Sequence, residues 1–211
     1  MIRVVVVGKT HMGKNPPGYC IGALRIRGWA AYRLKAPGGA YSWPESCGVN
    51  VGDILEIEGK RPDELRNPHT EDFLVESYKK VGEYGPTLPD DIYENCQVAE
   101  SLSDLFEGYV RELGVDRLGI EQGDDVPNFS TQFWLPKNPL SLEWRQFRDK
   151  PRKPYYKYRK WVIPYVGTDE PIDIIPAGSL VRLSLAQWFP PEAPKCYLQL
   201  SGWWLESEDE V

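Results

Sequence analysis

Leu180-Val181-Arg182-Leu183-Ser184-Leu185 alternates apolar and polar side chains residue by residue from Val181 onward. Successive residues of a strand point to opposite sides of a sheet, so this pattern predicts a strand with Val181, Leu183 and Leu185 on a core face and Arg182 and Ser184 on the other. Strand-like runs flank it at residues 130–135, 155–165 and 196–205. The first part of the chain reads the same way, with strands at residues 2–7, 20–26, 30–35, 53–58 and 72–80 and glycine- or proline-rich breaks at 8–18, 36–39 and 61–69. Five short strands suit a small barrel or sandwich. The fold class is therefore all-β.

Residues 89–113 break the pattern. Ile92, Cys96, Val98, Leu102, Leu105, Phe106, Tyr109, Val110 and Leu113 recur near helical spacing, Pro89-Asp90-Asp91 supplies an acidic first turn and Gly114 a stop. One or two helices are expected here, an insert between two β units. No repeat of fixed period relates the two halves.

The charge is segregated. The chain carries −6 overall, yet residues 144–161 hold eight basic side chains against Asp149, a local +7 that leaves −13 elsewhere. Residues 83–125 carry a local −10. The apolar runs at 4–7 and 180–185 are far shorter than the roughly 18–20 residues of a membrane helix. Met1-Ile2-Arg3-Val4 passes into a strand with no cleavage-site pattern, so no signal peptide is expected and the cytoplasm is the expected compartment. Cys20, Cys47, Cys96 and Cys196 are widely spaced, and neither histidine stands at metal spacing from any of them. Reduced thiols are expected, with no metal and no cofactor.

Several blocks resemble the dual OB-containing domain of prokaryotic proteins. They are the first strand with its polar glycine and lysine loop, Gly18-Tyr19-Cys20-Ile21-Gly22, Val51-Gly52-Asp53-Ile54-Leu55-Glu56-Ile57, Pro68-His69-Thr70-Glu71-Asp72-Phe73, residues 180–188, and residues 196–204. The resemblance covers nearly the whole chain. It implies two OB-like small β-barrel units packed together, at residues 1–84 and 126–206, with an acidic helical connector at 85–125 and an acidic tail at 207–211. It also implies nucleic-acid or nucleotide binding, in prokaryotic defence or mobile-element settings, with no defined catalytic set and no residue-level site.

The candidate site rests on composition. Between Trp144 and Trp161, arginines and lysines neutralise phosphates, and aromatic rings stack on unpaired bases. Arg145, Arg148, Arg152, Lys153, Lys157 and Arg159 are the expected phosphate contacts, and Tyr156, Tyr158 and Trp161 the expected stacking rings. That combination points to single-stranded nucleic acid, or an exposed end, ahead of duplex. The competing reading is that half of these rings are core and the cations pair with the chain's own acidic helix or with a protein partner, as in an interaction subunit with no nucleic-acid role.

Gly8-Lys-Thr-His-Met-Gly13-Lys14-Asn15 matches the phosphate-loop pattern GxxxxGK[ST] except at its last position. Pro16-Pro17-Gly18 then removes the helix that such a loop needs. Lys9 and Lys14 remain as phosphate contacts on a barrel rim. Pro68-His69-Thr70-Glu71-Asp72 offers raw material for a metal-dependent hydrolase using His69, Glu71 and Asp72, with His11 or Asp53 as distant partners. Consecutive strand residues diverge, however, so a polar loop capping a strand is the plainer reading. Trp43, Trp188, Trp203 and Trp204 read as core, although in a strand one of Trp203 and Trp204 has to face outward.

Overall fold

The computed structural model describes residues 1–12, 17–40, 42–123, 125–146, 149 and 151–205. It divides into two compact units, residues 1–96 and 97–211. The stretch expected as a connector is shared between them.

The first unit is a closed five-stranded barrel. Its strands are β1 (Ile2–Met12), β2 (Gly18–Arg25), β3 (Ala31–Lys35), β4 (Asp53–Lys60) and β5 (Asp72–Glu83), joined in the order β1-β2-β3-β5-β4. All neighbours are antiparallel except β3 and β5. Alternate residues (Val4, Val6, Ile21, Ala23, Leu34, Leu55, Ile57, Phe73, Val75) fill the barrel, and Trp43 closes it with its indole N–H donated to the Leu34 carbonyl at 2.7 Å. Burial of such side chains contributes about 1.5–3 kcal/mol each. β4 bends at Gly59, where a β-carbon would collide with the Leu74 carbonyl oxygen. Only glycine lets β4 and β5 approach that closely.

After β5, helix α1 (Leu88–Asn95) buries Leu88 and Ile92 and carries Asp90 and Asp91 in its first turn, as expected. It stops at Cys96, whose backbone turns extended, far short of Gly114. The apolar spacing beyond it belongs instead to 3₁₀ turns over Leu102–Gly108, in which Phe106 and Glu107 adopt positive φ. Leu105 and Phe106 are core anchors of the second unit, and the Phe106 N–H donates to the buried Gln132 side chain at 2.6 Å. Buried side chains in successive turns mimic a helical period without making a helix.

The second unit repeats the first barrel's connectivity. It is built from β6 (Val98–Ala99), β7 (Arg111–Glu112), β8 (Leu118–Glu121), β9 (Thr131–Trp134), β10 (Leu140–Arg145), β11 (Lys153–Tyr158), β12 (Trp161–Pro164), β13 (Ile174–Ile175), β14 (Leu180–Leu185) and β15 (Lys195–Trp204). β9 and β10 act as halves of one strand interrupted by Pro136 and Pro139, which cannot donate to a ladder. β10 pairs with β11, β11 with β12, β9 with β14 and β14 with β15, all antiparallel. A parallel bridge between Tyr165 and Leu200 joins the end of β12 to β15. Counting β9 and β10 as one, this is again the order 1-2-3-5-4 with a parallel third and fifth strand, so both units are OB-like. The hairpin of β7 and β8 extends the β15 edge.

Two expectations at strand level change. Residues 155–165 form a hairpin with its turn at Arg159-Lys160 rather than one strand, and β10 was not anticipated. The polar face of β14 is not solvated, for Arg182 is buried and donates to Ser201 Oγ at 2.8 Å. Cys196 is buried and Cys20, Cys47 and Cys96 are half-buried. Among the described residues no helix is long and apolar enough to cross a membrane.

Candidate nucleic-acid interface

The basic stretch is the meander β10-β11-β12 with its two connections. Register decides which side chains it offers. Ser141 pairs with Lys157, Glu143 with Tyr155 and Arg145 with Lys153, so these six share the outer face, joined by Val162 and Pro164 of β12. The inner row is Leu140, Leu142, Tyr156, Tyr158, Trp161 and Ile163.

That register corrects the expected stacking rings. Tyr156 and Tyr158 are 0% and 5% exposed, members of the core, and have no face to offer a base. Tyr156 packs against Tyr165 and Trp203, and Tyr158 against Trp134. Burial, ahead of every other influence, pushes the Tyr156 hydroxyl up to about 12, while the Ile172 N–H that its oxygen accepts works in the opposite direction. Trp161 is half-buried with the Lys160 ammonium 4.2 Å from its ring centroid. The ring that sequence reading passed over is Trp144, 47% exposed where β10 runs into the 146–152 connection. The alternation Leu140-Ser141-Leu142-Glu143-Trp144-Arg145 puts Trp144 on the inner row, and its place near the end of β10, opposite Pro154, leaves it exposed. Trp203 and Trp204 are both half-buried, packed on Tyr156 and Tyr165 and on Phe133 respectively, so neither is the free outward ring expected there.

The cations divide into two groups. Arg145 is held by Asp116 at 2.5 Å and Glu143 at 3.0 Å, and the Asp116 hydrogen bond is the main cause that raises its already high pKa. Lys157 lies 3.6 Å from Glu143, and Lys160 lies 3.4 Å from Glu112. The acidic partners expected from a helix thus come from the β7–β8 hairpin and from β10. Arg152, Lys153 and Arg159 are exposed and have no ion-pair partner among the described residues. Arg152 donates to the Trp144 carbonyl at 3.2 Å, while Arg159, at positive φ in the turn, lays its guanidinium 5.5 Å from the Tyr158 ring centroid. Arg148 lies outside the described residues.

Lys9 and Lys14 belong to the first barrel. β1 continues to Met12 and pairs with β2 as far as Gly18, so the expected loop at 8–18 is mostly strand, and a strand rather than a helix follows it. That is not the architecture of a phosphate loop. Lys9 donates to Asn50 Oδ1 at 3.1 Å and lies 4.5 Å from the Tyr19 ring centroid. Lys14 lies outside the described residues.

A second polar cluster sits on the outer side of β3 and β5. Arg33 and Lys35 point the same way on β3, and both engage Asp72; Arg33 also reaches His69 Nδ1 at 3.3 Å. Arg33, Lys35, His69 and Glu71 are all buried. Burial first, then the neighbouring Arg33, lowers the Lys35 pKa, and Asp72 opposes the shift. Of the two carboxylates expected for a hydrolase, Glu71 and Asp72, Asp72 is thus occupied by two cations. Among the described residues no group of three or more histidines, cysteines and acids is placed to hold a metal. Asp53 lies in another network, accepting from the Asn50 N–H and pairing with Lys80 at 2.7 Å.

Among curated proteins none matches the sequence. Solved structures that resemble the chain include a murine DNA-binding protein bound with double-stranded DNA (10% identity, TM-score 0.35, 99% of this chain and 97% of that one), and the Ifi202 HINa domain in complex with a 20-base-pair double-stranded DNA (14% identity, TM-score 0.34, 94% of each). At such scores neither likeness bears on what this chain does. The family comparison is decisive: the model of the dual OB-containing domain matches residues 2–203, end to end over both barrels, and the chain belongs to that family.

Proposed function

We propose that the chain binds nucleic acid without catalysing a reaction on it, single strands ahead of duplex, through the β10-β11-β12 meander of its second barrel. One observation carries this reading. The +7 stretch forms the second strand of an OB-like barrel and the connections on either side of it. OB folds use the face of strands two and three and the loop between strands one and two for oligonucleotides. Arg152, Lys153, Lys157 and Arg159 neutralise phosphates, and Trp144 and Trp161 supply ring surface for unpaired bases. Lys9, on the other barrel, is a separate phosphate contact. The defence or mobile-element setting that the family resemblance implies would follow from such binding.

The test is fluorescence anisotropy of labelled single-stranded DNA, single-stranded RNA and duplex over a salt series. Wild type is expected to bind single strands in the micromolar range, with affinity falling as salt rises. An Arg152→Glu, Lys153→Glu, Arg159→Glu variant is expected to lose binding while keeping its circular dichroism spectrum. Absence of wild-type binding at low salt overturns the reading. It would leave the second one, an acidic protein partner, which is favoured by the carboxylates already seated on Arg145, Lys157 and Lys160.

A further inference from the structure

The tip of the β7–β8 hairpin lies against the outer face of the basic meander. Asp116 joins Arg145 through its side chain and accepts the Val162 N–H at 2.9 Å through its carbonyl, so it bridges β10 and β12. Glu112 holds Lys160 in the β11–β12 turn. Between them the Arg117 guanidinium lies 5.4 Å from the Tyr155 ring centroid and 5.9 Å from that of Tyr197. Tyr155 and Val162, outward on a surface strand, are nevertheless buried. The hairpin is anchored at its other end: Leu118 and Ile120 belong to the core, and Gly119 lies so close to the Cys196 carbonyl that no β-carbon fits.

Arg145 and Lys160 therefore face carboxylate oxygens of the hairpin, Arg145 and Lys157 also face Glu143 of β10, and a stacked guanidinium covers the one outward tyrosine. Carboxylates on arginine and lysine at these distances take the positions that phosphate oxygens would take in a bound strand. We propose that the β7–β8 hairpin is an intramolecular competitor for the nucleic-acid surface, with Asp116 and Glu112 occupying the phosphate positions at Arg145 and Lys160. A bound strand has to displace both carboxylates to use those cations. The proposal rests on the reading that the meander binds nucleic acid, and it adds that the surface is partly occupied in the free protein.

The experiment compares wild type, an Asp116→Asn, Glu112→Gln variant and a charge-matched control, Glu64→Gln, Glu76→Gln, altered at exposed acids of the first barrel. Labelled oligothymidylate is the probe, titrated at several salt concentrations. Asp116→Asn keeps the carbonyl that receives the Val162 N–H, so the hairpin remains docked, and a Glu112→Gln single variant gives a second, milder readout. The hairpin variant is expected to bind roughly threefold to tenfold more tightly than the control at low salt, because each part-exposed pair is a weak obstacle. Its salt dependence should steepen by about one to two phosphates, since Lys160 is released and Arg145 keeps only its Glu143 partner. Adding Arg145→Gln and Lys160→Gln to the hairpin variant should cancel the gain. Affinity no higher than the control overturns the competitor. If Arg152→Glu, Lys153→Glu, Arg159→Glu still abolishes binding in that case, the binding reading stands and only the competitor falls. If neither wild type nor the hairpin variant binds, both fall.

Discussion

Tyr156 is fully buried, yet its hydroxyl is satisfied twice: it donates to the Ile172 carbonyl at 2.9 Å and accepts the Ile172 N–H at 3.0 Å. Removing the oxygen leaves both backbone groups without a partner, so Tyr156→Phe should cost about 1–3 kcal/mol in urea denaturation. The same tyrosine sets a pH limit. An unfolded tyrosine titrates near 10 and this one near 12, so the unfolded chain releases its proton first. Its contribution is complete below pH 10 and is lost as pH rises toward 12, with a slope of roughly 1.4 kcal/mol per pH unit for each such group. Tyr165, raised mainly by burial, acts in the same direction. Urea midpoints measured from pH 8 to pH 11.5 should stay level and then fall above about pH 10, less steeply in Tyr156→Phe. Arg33 makes a different case, because its loss removes one of the two cations on the largely buried Asp72 together with the contact to His69 Nδ1, and leaves Lys35 to hold the carboxylate. Arg33→Ala should cost about 2–3 kcal/mol, more than loss of a surface ion pair and less than leaving a buried carboxylate with no cation. A chevron or equilibrium curve within 1 kcal/mol of wild type, a bound set by ordinary surface substitutions, would refute that role.

At the scale of elements, turns and bulges hold the strands in register. Gly59 sits at the β4 bulge against the Leu74 carbonyl, so Gly59→Ala has to move backbone rather than a side chain. A loss of about 2 kcal/mol or more in thermal unfolding is expected. The β11–β12 turn offers the opposite experiment. Arg159 holds a positive φ of 57°, a conformation that glycine adopts without strain. Arg159→Gly should leave Tm unchanged or higher while weakening oligonucleotide binding about twofold to threefold, the effect of one exposed phosphate contact. A fall in both quantities would mean that Arg159 packing, not its charge, is what the turn needs.

For the molecule as a whole, each unit has its own core and its own strand circuit. Strand pairing stays within a unit throughout the described residues. Fragments 1–96 and 97–211 are therefore expected to fold separately, each with a cooperative urea transition. A fragment lacking such a transition would show that its barrel depends on the rest of the chain. The charge distribution sets the long-range behaviour: a net −6 molecule repels polyanions on average, and its basic segments are where a polyanion can approach.

Residue order alone determined the class of fold, because strand alternation, glycine breaks and apolar content act over a few neighbours. All five strands of the first barrel, helix α1 and, in the second unit, β9, β14, β15 and the β11–β12 stretch were legible in that way, whereas β6, β7, β8, β10 and β13 were not. So was the location of the basic segment. Three matters were decided only by tertiary structure. Helical spacing at residues 96–113 came from buried anchors in turns, which local periodicity does not separate from a helix. Tyr156 and Tyr158 share an alternating face with Lys160 in sequence, and only closure of the barrel made that face the inside. The partners of Arg145 and Lys160 lie about thirty and about fifty residues away in the chain, on a hairpin whose placement depends on its pairing with β15. A charge count along the sequence registers both signs; which of them meet is settled by long-range packing.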